Sequence, residues 1–162
     1  MNKDEYIRTM AKAQLAKRHL YDFCVVSYPS FYLPDRMFLK DICEKIEHFI
    51  FKSDKHFLLL NAPPRFGKSL TAQNTTAWLL GLNPANRIMT ASYNERLASI
   101  FSRNVRNMIQ TEKVGSRIVY SDIFPDTQVK YGEAQAQMWT VDGQSQVSRA
   151  RKSGSASSPP AT

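Results

Sequence analysis

The chain has 162 residues, 43% of them hydrophobic, and a formal net charge of +8 from 22 Lys and Arg against 14 Asp and Glu. This size suits one globular domain with a core, while two cysteines are too few for a disulfide framework and no apolar run approaches the ~20 residues of a membrane span. The positive charge permits phosphate-rich partners such as DNA, although a solvated surface explains it equally well.

The first third of the chain is predicted to be a helical segment over residues 1–52. Apolar residues recur at three- to five-residue spacings and predict one amphipathic helix through Tyr6, Met10, Ala13, Leu15 and Leu20. An aromatic loop with two prolines follows at 28–34, and we favour a core role for it over a cover for an adenine ring. Pro34 then precedes a second helix over about 35–51. Cys24 and Cys43 are expected to be buried thiols in a reducing cytoplasm.

Residues 57–70, FLLLNAPPRFGKSL, carry the most informative pattern. Residues 56–60 are predicted to form a buried parallel strand, after which a tight loop closes with Gly67-Lys68-Ser69 and opens a helix. This is a phosphate-binding P-loop in the A-x-x-x-x-G-K-S form, whose backbone N–H groups face a polyphosphate at a helix N-terminus. A Gly-Lys-Ser tripeptide alone is more often a surface loop, and the strand and helix context favours the nucleotide site.

The loop departs from the usual pattern at its start. Ala62 replaces the first glycine, and Pro63 and Pro64 have no N–H to donate. The amides of residues 66–69 are intact, and the prolines lower the cost of ordering the loop. Lys68 is predicted to reach the β- and γ-phosphates, Ser69 to hold Mg²⁺, and Arg65 to stabilise transition-state charge. The predicted ATP-binding residues are Ala62, Pro63, Pro64, Arg65, Phe66, Gly67, Lys68, Ser69 and Leu70, with Arg65 and Lys68 as the catalytic pair.

A second predicted strand over 87–92 follows the P-loop helix, and a strand, helix, strand order indicates a right-handed parallel unit. Asn94 is a predicted N-cap for a further helix that covers the sheet, with Arg96, Arg103 and Arg106 on its outer side. The predicted fold class is α/β: an incomplete P-loop NTPase of the ASCE or RecA-like type, with a parallel sheet flanked by helices and preceded by N-terminal helices. Its partial ATPase core is assigned to residues 53–143.

The chain resembles the ATPase domain of tailed-bacteriophage terminase large subunits over roughly residues 5 to 142. The distinctive segments are Pro-Pro-Arg-x-Gly-Lys-Ser at 63–69, Leu-Gly-x-Asn-Pro at 80–84 and Ala-Ser-Tyr at 91–93. The resemblance implies an ATP- and Mg²⁺-dependent motor that drives double-stranded viral DNA into a procapsid, joined to a nuclease domain. It further implies a portal protein and a small terminase subunit as partners, a homo-oligomeric ring, no membrane, and the bacterial host cytoplasm. The resemblance implies that Lys68 binds phosphate, that Ser69 holds Mg²⁺ and that Arg65 is the family's loop arginine near the γ-phosphate.

The acidic pair that a P-loop ATPase needs has no clear counterpart. The nearest fragments, 118–122 and 138–142, each end in a single acid, Asp122 or Asp142. Family character stops at about Gly143, and the remainder, 144–162, is predicted to be a disordered Ser/Ala/basic tail. We interpret this change as a shift of reading frame near codon 143 that truncates the ATPase. The alternative is a natural flexible tail that binds DNA through its basic cluster.

Three functions remain open from the sequence. The first is a truncated terminase-type motor ATPase domain that binds ATP and lacks its catalytic acids and the nuclease domain. The second is a P-loop DNA-dependent ATPase of another branch, in which the second acid is supplied differently. The third is a non-enzymatic fragment that binds DNA or a protein partner.

Overall fold

The computed structural model describes residues 3–130 and 139–141, and over these residues it contains six α-helices and no β-strand. The one β-type pairing in the described part is an isolated antiparallel bridge between Val129 and Val141. The helices are α1 (Lys3–Arg18), α2 (Leu20–Ser27), α3 (Met37–Lys52), α4 (Lys68–Leu82), α5 (Glu95–Ile109) and α6 (Tyr120–Ile123).

The predicted α/β parallel-sheet class is therefore wrong for the described part of the chain, which is helical. Residues 56–60 and 87–92 have no regular secondary structure. Leu59, in the segment predicted to be a buried strand, and Met89, in the second predicted strand, are each 92% exposed. A strand is stabilised by hydrogen bonds to a neighbouring strand and by layers packed on its faces. An apolar run favours an extended backbone but does not by itself supply either partner.

The predicted first helix is two helices, because the chain leaves helical geometry at His19 (φ −126°, ψ 129°). The cause lies in α3, where Glu47 accepts a hydrogen bond from the Leu20 amide at 3.0 Å and contacts His19 Nδ1 at 3.3 Å. An acid near the first turn of a helix satisfies an otherwise unpaired N–H and complements the helix dipole. The apolar pattern across His19 is continuous, so it did not reveal the break.

The three longer helices that follow are close to their predictions. α3 begins at Met37, shortly after Pro34, and ends one residue beyond the predicted limit. α4 opens at the Gly67-Lys68 step as expected. The predicted N-cap of α5 is confirmed, because the Asn94 side chain accepts a hydrogen bond from the Arg96 amide at 2.8 Å. Local sequence signals predicted each of these boundaries.

The core is built from residues of all six helices, and Trp78 of α4 is among its largest fully buried side chains. The indole Nε1 donates to the carbonyl of Ala16 at 3.1 Å, and Phe51 meets the ring edge-on at 5.8 Å between centroids. The buried Tyr120 hydroxyl donates to the Ala77 carbonyl at 2.9 Å. These contacts fix α4 against the α1 and α6 regions.

Cys24 of α2 and Cys43 of α3 are both fully buried and unbridged, as predicted. Their sulfurs are 4.0 Å apart. Burial, before any other cause, raises the pKa of the Cys24 thiol well above its ordinary value. The pair therefore packs as two small apolar groups between neighbouring helices.

None of the helices within the described ranges combines the length and apolar character needed to cross a bilayer. The predictions made for Asp142 and for the 144–162 tail lie outside the described residues.

Candidate phosphate-binding site

The predicted phosphate loop leads into the first turn of α4, which begins at Lys68 with Gly67 as its N-cap. Gly67 has left-handed backbone geometry (φ 80°, ψ 10°), and it provides no side-chain cap. The amide of Thr71 donates to the Gly67 carbonyl at 2.8 Å and closes the first turn. The N–H groups that precede Thr71 therefore have no intrahelical acceptor and no capping side chain, which is the arrangement that favours anions at a helix N-terminus.

The loop before α4 contains a second left-handed residue, Arg65, with φ 65°. It is the one non-glycine residue with a positive φ among residues 3–130 and 139–141. Left-handed geometry costs an L-residue roughly 1–2 kcal/mol, so the surrounding contacts must impose it. Left-handed residues at 65 and 67 fold the backbone into a turn whose amides can converge, as in the concave N–H clusters that bind phosphate.

Lys68 folds back over this turn. Its ammonium donates to the carbonyl oxygens of Ala62 and of Pro63, the latter at 2.9 Å. A lysine ammonium has three N–H donors, so one remains for a further acceptor. The same side chain therefore ties the beginning of the loop to its end and adds a positive charge to the loop. Pro63 takes part through its carbonyl, and its missing N–H does not affect this contact.

The remaining predicted site residues differ in how far their side chains are buried. Arg65 and Ser69 are exposed, whereas Leu70 is partly buried and packs against the core. The ion pairs found within the described ranges join other residues, so no described acid neutralises Arg65 or Lys68. Two cations without a carboxylate partner leave the loop electropositive and suited to an anionic ligand.

Aromatic side chains pack on the loop from the N-terminal segment. The Phe31 ring lies against Gly67, and Phe38 of α3 contacts Phe66 with ring centroids 5.0 Å apart. The Arg36 guanidinium lies over Phe31, 5.0 Å from the ring centroid. The aromatic residues of 28–34 were predicted to belong to the core, and their contact with the loop before α4 was not predicted. Their clustering near two prolines was the only local signal, and it does not specify what they contact.

A buried polar cluster joins the aromatic loop to α4, and no sequence pattern predicted it. The Tyr32 hydroxyl is 2.8 Å from the Thr71 hydroxyl, and the Asn74 amide nitrogen donates to Tyr32 at 3.3 Å. All three side chains are buried, which for Tyr32 confirms the predicted core role. Burial, followed by the nearby Cys24, raises the pKa of Tyr32, so the phenol keeps its proton and remains able to donate.

The candidate acid Asp122 is committed to other contacts. Its carboxylate accepts hydrogen bonds from Lys113 at 2.8 Å and from the Val119 amide at 3.0 Å, at the start of α6. Burial alone would raise the pKa of Asp122, but the Lys113 and Val119 hydrogen bonds and the Lys113 charge lower it below its ordinary value. Asp122 therefore stabilises a short helix start. Within the described ranges, no cluster of three or more His, Cys, Asp or Glu side chains is placed to hold a metal ion.

Comparison with protein-family models, with curated proteins and with solved structures found no match to the chain.

Proposed function

We propose that residues 62–70 bind the triphosphate of ATP together with Mg²⁺, and that the chain is an ATPase-domain fragment of a terminase-type viral DNA-packaging motor. One observation carries the nucleotide part of the proposal. A loop with left-handed residues at 65 and 67 leads directly into a helix whose first amides have no side-chain cap. Such amides, beside two cations without described acid partners, match the needs of a polyphosphate.

Each loop residue has a distinct role in this proposal. Lys68 exchanges one or both of its carbonyl acceptors for phosphate oxygens, and Arg65 offsets the charge at the terminal phosphate. The exposed Ser69 hydroxyl is the loop's ligand for Mg²⁺, an ion that prefers oxygen ligands and retains several waters. Mg²⁺ supplies charge neutralisation when it is bound with the nucleotide. The helix provides the remaining attraction through its unpaired N–H groups and its dipole.

We further propose that this chain binds nucleotide without hydrolysing it. Turnover requires a carboxylate that orients the attacking water, and the contacts of Asp122 with Lys113 and Val119 occupy the candidate acid. A different P-loop DNA-dependent ATPase is the alternative, in which another carboxylate completes the site. The two differ in one observable, which is ATP turnover.

Double-stranded DNA is the proposed macromolecular partner. The net charge of +8 and the exposed Arg96 and Arg103 of α5 are compatible with contacts to a phosphate backbone. Arg96 and Arg103 are seven residues apart, so they lie on nearly the same side of the helix. The terminase resemblance adds the portal protein, the small terminase subunit, a ring of copies and the bacterial host cytoplasm to this proposal.

The test is a titration of the purified chain with a labelled ATP analogue and Mg²⁺, alongside ATP turnover with and without double-stranded DNA. Lys68→Ala removes the loop ammonium. Lys45→Ala is the matched control, because Lys45 is an exposed helix lysine that pairs with Asp41 in the same helix, four residues away. Binding that Lys68→Ala abolishes and Lys45→Ala retains, without turnover, is the expected result.

Two other results would change the assignment. Turnover above the Lys68→Ala background would favour the DNA-dependent ATPase alternative. Salt-sensitive DNA binding that Lys68→Ala leaves unchanged, in a chain that binds no nucleotide, would favour a non-enzymatic DNA-binding fragment. That second result would contradict the proposed nucleotide site.

A further inference from the structure

The buried cluster of Tyr32, Thr71 and Asn74 is not explained by stability. These side chains are 2%, 1% and 0% exposed, and the Asn74 Oδ1 atom has no hydrogen-bond partner within the described residues. A buried polar atom without a partner is destabilising, whereas apolar residues of similar shape at such sites are often neutral or stabilising. A polar cluster in this position therefore suggests a role in fixing one particular arrangement.

The cluster meets α4 at the turn that follows the phosphate loop. Thr71 is two residues after Ser69, and its own amide closes the first helical turn on Gly67. The Tyr32 hydroxyl therefore bonds to the residue that completes the N-terminal turn. Asn74 lies one turn further along on the same side of the helix, so the Tyr32 hydroxyl is bonded to two residues of α4.

The backbone of Tyr32 is part of a hydrogen-bonded turn. The amides of Phe31 and Tyr32 both donate to the Tyr28 carbonyl, at 3.0 and 3.1 Å, and Arg36 donates to the Phe31 carbonyl at 3.4 Å. The rings of Phe31 and Tyr32 meet edge-on with centroids 5.4 Å apart. Fixing the Tyr32 hydroxyl on α4 consequently fixes the Phe31 ring against Gly67.

We propose that Tyr32 is a positioning residue for the phosphate loop. Its hydroxyl holds the 28–34 turn on α4, and this turn presses Phe31 onto Gly67 and maintains the left-handed geometry of Gly67 at the end of the loop. Tyr32 does not touch the ligand. This inference rests on the proposed nucleotide site, and it adds that the affinity of the site depends on a contact made outside the loop.

Tyr32→Phe tests the inference because it removes the hydroxyl and keeps the ring. Tyr120→Phe is the matched control, since Tyr120 is also buried and also donates its hydroxyl to α4, at the Ala77 carbonyl. Thr71→Val removes the same hydrogen bond from the other side, should Tyr32→Phe fold poorly. Thr71→Ser keeps the hydroxyl and serves as the conservative rescue.

The first measurement is the affinity of each variant for Mg·ATP and for Mg·tripolyphosphate. We expect Tyr32→Phe and Thr71→Val to weaken both ligands by the same factor, about tenfold, which corresponds to one buried hydrogen bond. Tyr120→Phe and Thr71→Ser are expected to bind within about twofold of the wild type. Weakening of ATP alone would indicate a contact with the base or ribose, and equal weakening in Tyr120→Phe would indicate a general stability effect. Either result would overturn the inference.

Amide hydrogen exchange of the ligand-free protein over residues 62–71 separates this inference from the proposed function. Faster exchange in Tyr32→Phe than in Tyr120→Phe supports the positioning role, and equal exchange overturns it, whatever the ligand affinity. If the wild type binds neither Mg·ATP nor Mg·tripolyphosphate, the proposed nucleotide site is wrong. The exchange result then decides alone whether Tyr32 holds the loop.

Discussion

Phe31 lies against Gly67 so closely that a β-carbon built on residue 67 would be 2.6 Å from the phenyl ring. The contact joins the aromatic turn of the N-terminal segment to the N-cap of α4. Gly67 is therefore constrained twice, by its left-handed φ of 80° and by the ring that occupies the place of a side chain.

Gly67→Ala is expected to destabilise the protein more than Gly115→Ala does. Both glycines have a positive φ, but a β-carbon on Gly115 would meet nothing within 4 Å. Gly115→Ala should cost only the left-handed strain, roughly 1–2 kcal/mol, while Gly67→Ala adds an overpacking cost of about 1–3 kcal/mol. Urea unfolding of both variants measures the difference. Combining Gly67→Ala with Phe31→Ala should recover part of the overpacking cost. If the two variants' losses of unfolding free energy simply add, the contact between Phe31 and residue 67 is contradicted.

Trp78→Phe is expected to lower the free energy of unfolding by about 1–3 kcal/mol, because it leaves the buried carbonyl of Ala16 without its donor. The matched variant is Trp139→Phe. That indole donates to the Ser102 hydroxyl at 2.8 Å but is only partly buried, so water can replace it. Trp139→Phe should lower the free energy of unfolding by less than about 1 kcal/mol. Equal losses in the two variants, measured by denaturant unfolding, would contradict the central place of Trp78 in the core.

Asp122→Asn is expected to destabilise the protein in a pH-dependent way. The folded-state pKa of Asp122 is lowered, so its contribution is fully present above the unfolded aspartate pKa of ~3.9 and is lost as the pH falls through the folded value. The difference in unfolding free energy between wild type and variant should therefore shrink as the pH falls from about 6 towards 3. Asp126→Asn, at an exposed position, is the control. A difference that is constant with pH would argue against the Lys113 and Val119 contacts.

Cys24 and Cys43 are expected to resist iodoacetamide in the native protein and to react quickly once it is unfolded in urea. Both thiols are fully buried, and the raised pKa of Cys24 disfavours the reactive thiolate. Mass spectrometry of the labelled chain counts the modified thiols over time, with the single variants Cys24→Ala and Cys43→Ala to separate them. Rapid labelling of the native protein would mean that α2 and α3 separate readily in solution.

The elements predicted well from the sequence are those whose signals are local. Pro34 indicated the start of α3, Asn94 capped α5 as expected, and the Gly67-Lys68 step opened α4. The break at His19 was missed because its cause, Glu47, is 28 residues away. The sheet was predicted wrongly because 56–60 and 87–92 have the composition of strands, while pairing depends on partners that composition does not reveal.

In the candidate site, too, the features with local signals were predicted and those that depend on distant segments were not. The start of α4 at Lys68, directly after the loop, follows from the spacing of residues 62–70, whereas the contacts of Lys68 with the Ala62 and Pro63 carbonyls do not. The packing of Phe31 on Gly67 and the bond from Tyr32 to Thr71 connect segments about 40 residues apart, and no pattern within either segment specifies them. Thr71 and Asn74 are polar residues on a buried helix face, a combination that can be recognised only when the burial of that face is known.

A single helix, α4, carries both the proposed phosphate site at its first residue and the buried indole of Trp78. Ten residues at a helical rise of 1.5 Å separate Lys68 from Trp78 by about 15 Å along one rigid axis. Trp78 can therefore serve as an intrinsic fluorescence donor at a fixed distance from the proposed phosphate site. In the Trp139→Phe variant, which leaves Trp78 as the one tryptophan of the chain, a nucleotide that bears a methylanthraniloyl group would accept excitation energy from Trp78 when it occupies the loop. The transfer would report occupancy without any label on the protein.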